Sequence, residues 1–187
     1  MGTRSERARA DVLDATIDLL CEQGLPGLTI EQVAHRSGVA KTTIYRHWAT
    51  KVDLVLDAVT ALDAPIATPN TGDLRADLRA CFHAVSDAGL QSRLGRIVPS
   101  LLDAAQRDPE YARLNEQLGR ERRQPVRTVL ELAQLRGEIP ASVDLDDATE
   151  LVIGPLLGRV LVSREPVTEG FVELVVDTVV TGLAPRR

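Results

Sequence analysis

The stretch TIEQVAHRSGVAKTTIYRHWATK, from Thr29 to Lys51, constrains this chain more than any other. Thr29 and Gln32 have the spacing of a capping box, in which each side chain satisfies the other residue's backbone N–H at a helix start. Ile30, Val33 and Ala34 then recur at i, i+3 and i+4 and turn one face inward, and Gly38 stands where a left-handed residue stops the helix. The next helix, about Ala40 to His47, is too short to be stable alone and must be held by its neighbours. Val39, Ile44 and Trp48 supply that hold, which leaves Lys41, Thr42, Tyr45 and Arg46 outward with Thr43 and His47 at the margins. Thr50 and Asp53 form another capping box and open a further helix at Lys51. Two short helices around a glycine turn, the second presenting donors, hydroxyls and one aromatic ring, form the helix-turn-helix pattern of a major-groove DNA reader.

A formal charge of −5 over 187 residues argues at first against a nucleic-acid partner, but its distribution decides the matter. Residues 1–51 carry seven Lys or Arg against six Asp or Glu, a net +1, and the remainder carries fifteen against twenty-one, a net −6. The acidic excess therefore lies outside the reader. So modest a basic count predicts site-directed binding that weakens with salt. Hydrophobic residues at 44%, aromatics at only 3% and no sustained alternating strands predict an all-α fold of about nine helices.

In chain order, Thr3 and Glu6 offer a capping box for a first helix from about Ser5 to Gln23, ending at Gly24. Arg4 and Arg7 at its start have two readings, a solvated arm or contacts with phosphate or the minor groove. Lys51 opposes the macrodipole of its own helix, a cost that a phosphate partner would offset. APIATPNTG, residues 64–72, is a loop and the best domain boundary. It separates a helix-turn-helix domain (1–50) and a connecting helix (51–64) from a ligand-binding and dimerisation domain (65–187). Helices are expected there at about 73–89, at 91–107 kinked by Pro99, and at 109–136 kinked or divided by Pro125. Two more, at about 144–163 and 168–183, close the chain. This last pair is apolar almost all round and must bury more than one side. Leu151, Leu156, Val160, Phe171, Val175 and Val179 are accordingly expected in a two-fold dimer interface.

Cys21 and Cys81 have no paired spacing, no His/Cys cluster has zinc-ligand form, and no metal or cofactor is expected. Phosphate-cradling glycines are missing, and His35, His47 and His83 have no nucleophile partner in evidence, so an enzyme is not expected. Without a leader-like segment or an apolar run near 18 residues, a cytoplasmic protein with no membrane partner is expected.

GLTIEQVAHRSGVAKTTIYRHWATKVDLV resembles the reader of the tetracycline-repressor (TetR) family of bacterial transcriptional regulators, with its threonine, Val-Ala pair, Ser-Gly-Val turn, Tyr, aromatic and Lys at the family spacing. RDPEY, RGEI and GPLLGRVL resemble one class of ligand domain in the same family. The resemblance implies a nine-helix, Ω-shaped homodimer on double-stranded DNA. It implies that Thr29, Thr43, His47 and Lys51 meet phosphate, that Lys41, Thr42 and Arg46 reach bases, and that Tyr45 meets the backbone or a thymine methyl. One departure is Ala40, where members often carry a hydroxyl residue that caps the helix. Two-fold symmetry then predicts a repressor on a near-palindromic operator. The resemblance further implies release by a small molecule bound among the central helices, and Leu78, Phe82, Leu101, Leu102 and Leu156 as pocket walls favour a mostly apolar effector. The alternative is a helical protein-interaction module that no longer binds DNA.

Overall fold

Side-chain caps set most of the helix starts. The computed structural model of the chain describes residues 4–62, 68–85 and 93–185. Thr3, the start of the expected boundary loop and the junction between the fifth and sixth expected helices lie outside the described residues. Nine α-helices occur among the described residues: α1 (Arg4–Gly27), α2 (Ile30–Ser37), α3 (Lys41–His47), α4 (Lys51–Ala61), α5 (Leu74–Val85), α6 (Arg93–Ala105), α7 (Pro109–Leu135), α8 (Leu145–Leu157) and α9 (Glu169–Leu183). Thr29 and Thr50 make full capping boxes with Gln32 and Asp53, while Asp144 and Thr168 accept backbone N–H bonds at the starts of α8 and α9. Gly24 breaks α1 with φ 69°, after which one more turn reaches Gly27. Neither proline divides its helix, since α6 runs through Pro99 and α7 through Pro125.

The helices divide into two units. The first holds α1–α4, α6 and α7 as far as Leu118; the second holds α5, the rest of α7, α8 and α9. In the first, α1 packs against α2, α4 and α6. Val12, Leu20, Val33, Ile44, Leu54, Val55 and Ile97 are almost wholly buried there. Arg93 on α6 reaches Asp18 at 3.0 Å, and Arg96 donates to the Cys21 carbonyl at 3.1 Å, so two charge-assisted contacts fix α6 on α1.

In the second unit Leu78, Phe82, Val129, Leu130, Val152 and Val176 make the core. Leu156 and Val175, expected at a subunit interface, instead fill this core at 4% and 7% exposure. An all-apolar helix gives no period by which sequence can separate its two buried faces. Val160, Phe171 and Val179 are half-buried, and of the expected six only Leu151, 61% exposed, stands open. Val162 and Leu174, 81% and 63% exposed, are further open apolar residues. Beyond Leu157 the helix widens into a π turn, Gly158–Val162, with the Ser163 N–H donating to Gly158 O.

Three rungs tie α5 to α9. Arg75, Arg79 and His83 lie one turn apart and face Asp177, Glu173 and Glu169 in antiparallel order. The central rung is bidentate at 2.5 and 2.6 Å, and its hydrogen bond from Arg79 holds the Glu173 carboxyl below the usual carboxylate range. A depressed folded-state pKa adds stability above the unfolded value near 4.3, lost as pH falls through the folded value. Acid melting curves should therefore show Glu173→Gln with a smaller loss of melting temperature below about pH 4 than the parent protein. Equal pH dependence would mean that the rung contributes nothing.

Candidate nucleic-acid interface

The candidate reading surface runs from the start of α2 to the start of α4. At Thr29 the Oγ1 accepts from the Gln32 N–H at 3.3 Å while the Gln32 Oε1 accepts from the Thr29 N–H at 3.0 Å. Gly38 closes α2 at φ 68°, a left-handed conformation that glycine adopts without strain. Helix α3 starts from Ala40 with no side-chain cap, as the missing hydroxyl there predicts. What holds so short a helix is its inner side, where Ile44 and Trp48 are 0% and 4% exposed.

Trp48 does more than fill space. Its Nε1 donates to Asp57 Oδ2 on α4 at 2.8 Å, and the same oxygen accepts from Arg9 on α1 at 2.7 Å. One carboxylate thus ties the end of α3 to the two helices behind it. Asp57 carries no local sequence signal, because its partners lie 9 and 48 residues away.

Lys41, Thr42, Tyr45, Arg46 and His47 are exposed, and Thr43 is half-buried. The His47 ring lies 5.6 Å from that of Trp48. Thr29 is exposed at the head of α2. Lys51 Nζ donates to Leu28 O at 3.2 Å and, more weakly, to Leu25 O at 3.5 Å, and of the three N–H donors of its ammonium one stays available to a further acceptor. Lys41 is also engaged, with its Nζ 2.8 Å from Glu31 Oε1.

The five expected pocket residues are not gathered in one core. Leu78, Phe82 and Leu156 pack in the second unit, Leu101 is buried in the first, and Leu102 in the first is 36% exposed. Among the described residues no group of three or more His, Cys, Asp or Glu is placed to hold a metal ion, and no helix is long and apolar enough to cross a membrane. Cys21 and Cys81 are free thiols; burial pushes the Cys81 pKa up to about 11.

Comparison with known proteins places this geometry in context. The sequence family described as bacterial regulatory proteins, tetR family, matches residues 12–58, and the one described as tetracyclin repressor-like, C-terminal domain, matches residues 68–179. The chain is 31% identical over 173 residues to the uncharacterized HTH-type transcriptional regulator YdeS of Bacillus subtilis, covering 90% of this chain and 86% of that one. It is 28% identical over 182 residues to the DNA-binding transcriptional repressor TetR of Mycobacteroides abscessus, covering 96% and 95%. A crystal structure of a TetR family transcription regulator is 37% identical, with a TM-score of 0.72 over 95% of this chain and 99% of that one.

Proposed function

Because the chain belongs to the TetR family of transcriptional regulators, we propose that it is a homodimeric repressor that reads a near-palindromic operator in double-stranded DNA and leaves it on binding a small, mostly apolar effector. The observation that carries this reading is α3, its inner face fixed by Ile44, Trp48 and Asp57 and its outer face presenting Lys41, Thr42, Tyr45 and Arg46. In this role Lys41, Thr42 and Arg46 reach base edges, Tyr45 meets the backbone or a thymine methyl, and Thr29, Thr43, His47 and Lys51 meet phosphate. A two-fold dimer sets two such helices about 34 Å apart, one turn of DNA, in successive major grooves.

The division of labour follows the chain, with residues 1–50 as reader, 51–64 as connector and 65–187 as ligand-binding and dimerisation domain. Helix α6, from the last of these, packs on α1 of the reader. That contact is a route by which an effector can bias the reader, and a tenfold change in operator affinity needs about 1.4 kcal/mol of coupling. The relative from Mycobacteroides abscessus, described as a repressor, supports repression as the sign of control. Such a regulator acts in the cytoplasm, where bacterial DNA lies.

Paired substitutions test the contact roles. Arg46→Ala is expected to lower operator affinity by about 1–3 kcal/mol and to relax preference at one position per half-site. Lys51→Ala is expected to weaken all sequences alike and to flatten the salt dependence by about 0.9 per subunit. Titration of labelled duplexes over a potassium chloride series distinguishes the two, and unchanged binding in both variants would contradict the assignment.

A further inference from the structure

Glu31 lies in the first turn of α2, beside the cap that Thr29 and Gln32 complete between them; its carboxylate accepts from its own backbone N–H and suits the positive end of the helix dipole. Its side chain is 65% exposed and reaches across the turn to Lys41, the first residue of α3. The pair is fully ionised at neutral pH, since the hydrogen bond pulls Glu31 below the usual carboxylate range and pushes Lys41 above its own. The surface proposed to read DNA thus carries an ionised acid bound to Lys41.

An acid at this place has consequences of both signs. A carboxylate is acceptor-only and is repelled by phosphates and by the acceptor edges of guanine and thymine. Adenine presents an acceptor beside its amino group, whereas cytosine presents its N4 amino donor alone. A lysine beside that carboxylate matches the O6 and N7 acceptors of guanine. Lys41 bound to Glu31 is at the same time withheld from the phosphate contacts that every sequence offers.

Building on the reader role proposed for α3, we infer that Glu31 is a specificity-determining residue: its carboxylate accepts from a cytosine N4 amino group next to the guanine read by Lys41, and it withholds Lys41 from phosphates on all other DNA. Glu31 therefore lowers affinity for DNA in general and raises discrimination.

The test compares the parent protein with Glu31→Gln and Glu31→Gln/Lys41→Gln. Sites are selected from random duplexes, then affinities are measured on the selected duplex and on a scrambled one across a potassium chloride series. Glu31→Gln is expected to bind scrambled DNA more tightly, a gain that unfolding cannot produce. It is also expected to lose the cytosine preference at one position per half-site, to lower the selected-to-scrambled ratio about tenfold, and to steepen the scrambled-duplex salt slope by about 0.9 per subunit. The double variant should return that slope to the parent value. An unchanged selected sequence and unchanged ratio in Glu31→Gln would overturn the role of Glu31 and leave the reader intact. Failure of the parent protein to enrich any sequence would overturn the reader, and the role of Glu31 with it.

Discussion

Glutamate at both Leu151 and Leu174 is expected to turn the proposed dimer into a monomer and to lower affinity for a two-half-site operator by about 10²–10⁴-fold, the effective-concentration advantage of two linked readers. The two leucines stand 61% and 63% exposed on α8 and α9, whose inner faces are already buried through Val152, Leu156, Val172 and Val176. In the proposed dimer the two leucines are apolar side chains that these helices still have to offer a partner once their own core is filled. An unpaired carboxylate buried there carries a desolvation penalty of several kcal/mol. Since neither leucine belongs to the subunit core, the variant should keep its helical circular dichroism. Light scattering and operator titration measure the two effects, and a dimer that survives both substitutions places the interface elsewhere. The same change at Leu156 or Val175 is expected to unfold the subunit, because both side chains lie within it.

Ile44→Ala should have the next largest effect, a loss of about 2–5 kcal/mol. Ile44 is 0% exposed and is the buried residue of a seven-residue helix with no side-chain cap at its start. Without the Ile44 contact, Trp48 and its bond to Asp57 are left to hold α3, so DNA affinity should fall with stability. Trp48 is the only tryptophan in the chain and lies at the end of α3, so its fluorescence during urea unfolding reports on this part of the molecule. Arg46→Ala, on the exposed side of the same helix, should leave the unfolding midpoint within about 0.5 kcal/mol of the parent. Matched midpoints for Ile44→Ala and Arg46→Ala would mean that α3 is held by something other than its inner face.

What sequence reasoning recovers here tracks the distance over which each interaction acts. The boxes at Thr29 and Thr50, the stop at Gly38 and the uncapped Ala40 are decided within four residues and are legible from spacing alone. The Asp57 junction and the Glu31–Lys41 pair join residues 9 to 48 positions apart, and no periodicity announces them. Pro125 is a local breaker overridden by its surroundings: it is itself buried, and the adjacent Val126, Val129 and Leu130 are core residues that outweigh a lost backbone bond of about 3 kcal/mol. Apolarity on all sides of α8 and α9 signals double burial without saying which side meets which partner, so the interface that sequence predicts at Leu156 and Val175 falls on residues that the subunit's own core buries. The packing of α6 on α1 is likewise a long-range outcome, fixed by Arg93 and Arg96 together with Ile97.

Selecting binding sites from random duplex DNA and footprinting the protein on the winner decides whether the molecule works as a symmetric pair of major-groove readers. The expected result is an enriched near-palindrome whose two protected half-sites are centred about 34 Å apart on one face of the helix. No enrichment, or a single protected patch without a repeated half-site, would contradict it.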